Sequence, residues 1–160
     1  MSEPQTMDGT AIKAKTILYV EDDPVVLTAY GHRLEKEGFS VVWAKDGLEA
    51  MKVLLQLVPD LVVLDLMLPK FDGTEVIKFM QANARFKTIP VVILATNSIV
   101  DANDEAVLEC ASQRFIKDRC TFPMILQAIR QLLGETPAND SVRPNVRADT
   151  SQRARLHRDR

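Results

Sequence analysis

No apolar run in this chain approaches the roughly 18 residues that a membrane-spanning helix needs. The stretch from Met1 to Ala14 is polar and lacks the apolar core of a secretory signal. Together these absences lead to the expectation of a soluble, cytoplasmic protein. Cysteine is scarce: Cys110 and Cys120 have neither a metal-ligand spacing nor a partner motif, and read as two reduced thiols. No internal repeat occurs, and the 25 residues after 135 are almost free of large apolar side chains, so no second core is expected there.

What remains is ample for one domain. The chain has 160 residues, of which 46% are hydrophobic. Its net charge of −2 hides an asymmetry. From Arg143 to Arg160 six arginines stand against Asp149 and Asp159, a balance of +4, which leaves −6 for residues 1–142. We read 1–13 as a flexible lead-in, 14–135 as the folded domain and 136–160 as a disordered basic tail. Contact of that tail with nucleic acid is the sharper alternative. It is disfavoured because no aromatics interleave the arginines.

Within the domain, short apolar runs alternate with segments of helical spacing. Thr16–Val20, Val41–Ala44, Leu61–Leu64, Val91–Leu94 and Arg114–Ile116 read as strands, the central ones buried on both faces. Asp23-Pro24 forms an N-cap and first-turn pair for a helix carrying Leu27, Tyr30 and Leu34, with Gly38 as its stop. Asp46 and Glu49 resemble a capping box, and Leu48, Met51, Leu54, Leu55 and Val58 are the expected inward face. Further helices are expected over 74–83, with Val76, Phe79 and Met80 inward, over 102–111, and over 122–133, with Ile125, Ala128, Ile129 and Leu132 inward. Asp72-Gly73 reads as part of an irregular connection. Five strand–helix units with short links imply an α/β fold with a parallel sheet, helices on both faces and right-handed crossovers.

In such a sheet all strand ends point one way. The first strand ends in Glu21-Asp22, the third in Asp65 and the fifth in Lys117, so these groups converge on one edge. A carboxylate is costly to bury without a partner, so Asp65 is expected at the open end of its strand. Like charges a few ångströms apart repel unless something positive sits among them. A hard divalent cation with oxygen ligands, Mg²⁺ above all, answers that need. Carboxylates, Mg²⁺ and a lysine are parts used to handle phosphoryl groups, and Asp65 is a candidate nucleophile.

Val20-Glu21-Asp22-Asp23-Pro24, then Leu64-Asp65-Leu66-Met67-Leu68-Pro69 with Asp72-Gly73, then Ile89-Pro90-Val91-Val92, then Phe115-Ile116-Lys117, resemble a response-regulator receiver domain of bacterial two-component signalling. The resemblance spans the whole folded region. It implies a flavodoxin-like (βα)5 sheet in the order 2-1-3-4-5. It implies that Asp65 accepts a phosphoryl group from a histidine kinase or phosphotransfer protein. By the same resemblance Glu21, Asp22, Asp65 and the Met67 carbonyl hold Mg²⁺, and Lys117 contacts the phosphoryl oxygens. The protein would be a stand-alone phosphoacceptor, a monomer or weak homodimer rather than an enzyme. It would signal to a protein partner through the face of the 102–111 helix, the fifth strand and the last helix.

Three positions depart from the family pattern. Ala95 stands where a Thr or Ser is usual, with Thr96 one residue late. Arg114 replaces the switch aromatic, with Phe115 beside it. Asp118 replaces the proline after the lysine, and a trans Lys117–Asp118 bond is expected. A receiver-like scaffold that no longer switches is therefore a second reading. A haloacid-dehalogenase-type phosphatase would need an acid at the position of Met67. A flavin protein would need a phosphate-cradling loop where Glu21-Asp22-Asp23 stand.

Overall fold

The computed structural model describes residues 12–96 and 109–135 of the chain. Residues 1–11, 97–108 and 136–160 lie outside it, and with them most of the lead-in, the basic tail and nearly all of the helix expected over 102–111. The elements in order are β1 (Thr16–Val20), α1 (Pro24–Lys36), β2 (Ser40–Ala44), α2 (Gly47–Gln56), β3 (Leu61–Asp65), α3 (Gly73–Gln81), β4 (Val91–Ala95), β5 (Gln113–Ile116), a 3₁₀ turn over Lys117–Arg119, and α4 (Phe122–Leu132). All strand pairs are parallel, and the order is β2-β1-β3-β4-β5, as expected.

Strands of Val, Ile and Leu form the middle of the sheet because helices cover both faces and leave no polar side. Alternate residues feed two cores. Leu18, Val20, Val62, Leu64 and Ile93 pack with Leu54 of α2 and with Val76, Ile77 and Met80 of α3. Ile17, Tyr19, Val63, Val92 and Leu94 pack with Leu27 and Leu34 of α1 and with Phe122, Ile125 and Ile129 of α4. On that second face Arg33 lies over the Phe122 ring at 3.9 Å, and Arg130 pairs with Glu37. Residues β1, β3 and β4 thus form a dry centre, and their carboxyl ends form a rim where polar groups gather.

Local signals start the helices where the sequence indicates, with three corrections. Asp23 accepts from the Val25 and Val26 amides, and Pro24 occupies the first turn, where no donor is needed. In α2 the buried face is Gly47, Ala50 and Leu54; Leu55 and Val58, expected inward, are exposed at 60% and 45%. Leu57 already turns out of the helix with extended backbone, so Val58 is off the helical stripe altogether. The second correction concerns Asp72-Gly73, which is no loose connection. Asp72 is the N-cap of α3 and closes a full capping box with Glu75. Asp46 caps α2 by accepting from the Glu49 amide at 2.8 Å, but Glu49 reaches back to the Lys45 amide, one residue before the cap, so the expected box is not closed there.

Candidate functional site

Glu21 follows β1 directly, and its amide donates to Ala44 O at 3.1 Å, which continues the ladder one residue past the strand. Its side chain is 1% exposed. Asp65 closes β3 and pairs with Leu94 of β4. Asp65 stands at the carboxyl end of its strand as expected, but it is buried there, at 2% exposed. Burial is tolerated because a partner arrives from far along the chain. Lys117 opens the 3₁₀ turn after β5 and places Nζ 2.6 Å from Asp65 Oδ2 and 2.7 Å from Glu21 Oε2. One ammonium therefore bridges the ends of β1 and β3. The remaining oxygens are also occupied: Asp65 Oδ1 accepts from the Met67 amide at 2.9 Å, and Glu21 Oε1 from the Asp23 amide at 3.2 Å.

Asp22 is exposed on the outer side of the cluster. Carboxylate oxygens of Glu21, Asp22 and Asp65 lie within 4.8 Å of one another. Three carboxylates thus face a single lysine. Burial pushes the Glu21 carboxyl above its ordinary value, against the pull of Lys117 and the Asp23 amide, and the charge of Asp65 adds to the rise. Burial alone would lower Lys117. The hydrogen bonds to Asp65 and Glu21 outweigh it and hold the ammonium above its usual pKa. Tyr19, beneath the cluster, has its hydroxyl pushed far up by burial and next by the Glu21 charge.

An all-oxygen donor set with excess negative charge fits a hard divalent cation, and soft metals have no thiolate or imidazole here. The loop between β3 and α3 borders the cluster. Met67 lies in it with its side chain 69% exposed, so the main chain and not the thioether faces Asp65. Gly73 is required at the loop's end, because a Cβ there would come within 2.6 Å of Asp65 O.

The structure thus brings together Glu21, Asp22, Asp65, Met67 and Lys117. The other three singled-out positions stand outside this hydrogen-bonded group. Ala95 ends β4 half-buried against the α2–α3 face, Thr96 is exposed, and Arg114 is exposed on β5 opposite Ile93. Phe115 packs instead into the α1–α4 core. No cis peptide occurs among the described residues, so the Lys117–Asp118 bond is trans as expected. Two participants were not singled out for the site, Lys70 and Gly47. Repetition of Asp-Gly-x-Glu at 46–49 and 72–75 is the sequence signal that marks both sides of the loop they join.

The family model of the response regulator receiver domain matches residues 17–130. The polar-differentiation response regulator DivK of Brucella ovis is 25% identical over 121 residues, covering 76% of this chain and 98% of DivK. Among solved structures, the receiver domain of a signal transduction histidine kinase from Syntrophus aciditrophicus is 30% identical with a TM-score of 0.68, covering 81% of this chain and 97% of that one. The response regulator TrrA of Thermotoga maritima, solved with Mg²⁺ and BeF, is 26% identical with a TM-score of 0.65, covering 74% and 98%. Among the described residues no helix is long and apolar enough to cross a membrane. With the strand order, the acidic rim and the family match in agreement, the chain belongs to the response regulator receiver domains of two-component systems.

Proposed function

We propose that this chain is a phosphoacceptor that takes a phosphoryl group on Asp65 from a sensor histidine kinase or a phosphotransfer protein. The observation that carries the reading is the Lys117 ammonium, 2.6 Å from Asp65 Oδ2 at the end of the central strand. An Asp65 carboxylate oxygen attacks phosphorus, the P–N bond of the phosphohistidine breaks, and an acyl phosphate remains. Phosphoryl transfer demands little covalent chemistry of the protein beyond positioning and charge. The Met67 amide fixes one Asp65 oxygen, and Lys117 stands by the other to meet the incoming negative charge. Low exposure at Asp65 keeps water from the acyl phosphate.

Glu21, Asp22, Asp65 and the Met67 carbonyl are the groups that would hold Mg²⁺. When bound, Mg²⁺ supplies the positive charge that offsets the carboxylates and the phosphoryl oxygens. The protein works in the cytoplasm. It is not an enzyme acting on a separate substrate, since its chemistry is its own phosphorylation and dephosphorylation. Its output is a protein contact through the face of β5 and α4; the helix expected over 102–111 to join that face lies almost wholly outside the described residues.

The test is mass spectrometry of the intact protein after treatment with acetyl phosphate and Mg²⁺. One added phosphoryl group per chain is expected, and none in Asp65→Asn. Full labelling of that variant would sink the assignment.

A further inference from the structure

Lys70 is the one non-glycine residue of positive φ among the described residues, at +64°. A left-handed lysine strains its backbone, and such strain persists only where the surroundings over-determine it. Two contacts do so here. Lys70 Nζ lies 3.2 Å from Asp46 Oδ2, an oxygen of a carboxylate that is itself 6% exposed. The next residue, Phe71, lays its carbonyl so close over the first turn of α2 that a Cβ on Gly47 would come within 2.0 Å of it. Asp46 divides its oxygens: Oδ1 caps α2 through the Glu49 amide, and Oδ2 takes Lys70. The Glu49 amide foremost, and then Lys70 against the opposing effect of burial, hold its carboxyl below the usual range.

This matters for the site because of what the tethered loop carries. Four residues separate Asp65 from Lys70, and Met67 is one of them, with its amide on Asp65 Oδ1. At its near end the loop is tied to β4 by Leu66 N to Leu94 O, and at its far end by Gly73 N to Leu66 O. Its middle, 67–71, is held by Leu68, which packs against the α2–α3 core and donates to Leu66 O, and against the first turn of α2 by Lys70 and Phe71. We propose that the Lys70–Asp46 ion pair is a latch that positions the β3–α3 loop. It moors the loop to α2 so that the Met67 main chain addresses Asp65. Lys70 and Asp46 are positioning residues: neither touches the reacting atoms, and they act through Met67. The consequence for phosphoryl uptake rests on the phosphoacceptor reading above; the latch itself does not.

The experiment compares Lys70→Met, which keeps the stem and removes the charge, with Lys70→Arg, which keeps the charge. Three quantities are measured on the metal-free protein and on titration with Mg²⁺ alone: hydrogen exchange of the Met67 amide, Mg²⁺ affinity from the amide shifts of Asp65 and Met67, and Tm. For Lys70→Met the expected result is Met67 exchange about two- to fivefold faster and Mg²⁺ binding weaker by a similar factor, the range for loss of a part-exposed ion pair. Tm should stay within about 3 °C, since a surface pair adds little to global stability. Lys70→Arg should restore both. An Asp46→Asn change made on Lys70→Met should add nothing further to Met67 exchange, because the pair is already broken. Unchanged Met67 exchange and Mg²⁺ affinity in Lys70→Met would overturn the latch. So would a fall in Tm that accounts for the whole change, which would make Lys70 a general stabiliser. Failure of the wild-type protein to label with acetyl phosphate would strike the phosphoacceptor reading and leave the exchange result to judge the latch.

Discussion

Replacing Lys117 by Met should cost stability as well as function, and the site's geometry sets the size of the loss. Each contact, at 2.6 and 2.7 Å, is worth about 6 kcal/mol of Coulomb attraction at an effective dielectric near 20, before desolvation is charged against it. Removing one partner of a buried pair leaves the others uncompensated and typically costs about 3–5 kcal/mol. Lys117 is 26% exposed, and solvent screens part of this, so about 2–4 kcal/mol is expected at pH 7. For a domain of about a hundred residues that lowers Tm by about 10–15 °C. The pH dependence has a definite sign. Glu21 is raised by burial, and further by the Asp65 charge, even with Lys117 present, and loss of the ammonium removes the group that pulls it down. A raised carboxylate binds more protons folded than unfolded, so the stability it contributes falls as pH rises through that window. The gap between variant and wild type should therefore narrow as pH drops from 7 toward the usual Glu value of 4.5. Mg²⁺ should narrow it at pH 7, since binding to the folded state alone stabilises it. Thermal unfolding by circular dichroism, in chelator and then in Mg²⁺, measures all of this. A Tm in chelator at pH 7 within about 3 °C of the wild type would show that the bridging ammonium is not what makes burial of Glu21 and Asp65 tolerable.

Gly47→Ala should destabilise by about 2–4 kcal/mol, because the new methyl meets the Phe71 backbone carbonyl rather than a movable side chain; a urea midpoint equal to the wild type would contradict the close approach. Ala95→Thr should enlarge the amide-shift response to beryllofluoride, since a hydroxyl at the end of β4 supplies a hydrogen bond to a charged phosphoryl mimic, about 1.5–3 kcal/mol that Ala95 cannot provide. A wild-type response that already spans Ala95 and Arg114 at full size would contradict this.

The central strands were legible because short runs of mostly branched apolar residues have few other solutions in a chain of this length, and the first and third are closed by charged groups. Thr16–Val20 is bounded as expected, and Leu61–Leu64 extends by one residue to Asp65. The convergence of Glu21, Asp22, Asp65 and Lys117 followed from parallel topology alone. What was not legible is instructive in each case. The burial of Asp65 depends on a partner 52 residues away, and without that partner physical sense places a carboxylate in the open. Leu55 and Val58 fit the helical period of the α2 face, yet α2 ends at Gln56 and the buried stripe runs through Gly47 and Ala50, where small residues let neighbours approach. Asp72-Gly73 looks like a turn because the pair is a turn signal, yet Glu75 three residues on carries the same capping sign as Asp46 and Glu49, and the Glu75 amide on Asp72 bears out the cap. Lys70 itself gave no sign beyond the two Asp-Gly-x-Glu segments on either side of its contact: nothing in a lysine announces a positive φ, and its ion pair spans 24 residues.

The division of labour around the rim explains why so much of the site could be read and why one loop could not. Glu21, Asp65 and Lys117 sit at strand ends, and the ladder of a parallel sheet fixes strand ends to within one residue. Their arrangement needs no further device than the fold. The β3–α3 loop has no ladder. Its position is set by helix caps on either side, Asp46 and Asp72, each followed by a glycine where backbone packs against backbone. The two Asp-Gly-x-Glu segments therefore do more than start helices. They anchor α2 and α3 at their first turns, and the loop between β3 and α3 is tied to both: Phe71 O packs on Gly47, and Gly73 N donates to Leu66 O. Capping of this kind is worth about 0.5–2 kcal/mol per helix, a modest sum for stability. At a site where Lys117 holds one Asp65 oxygen and an amide two residues on holds the other, the same contacts bear on where that amide points.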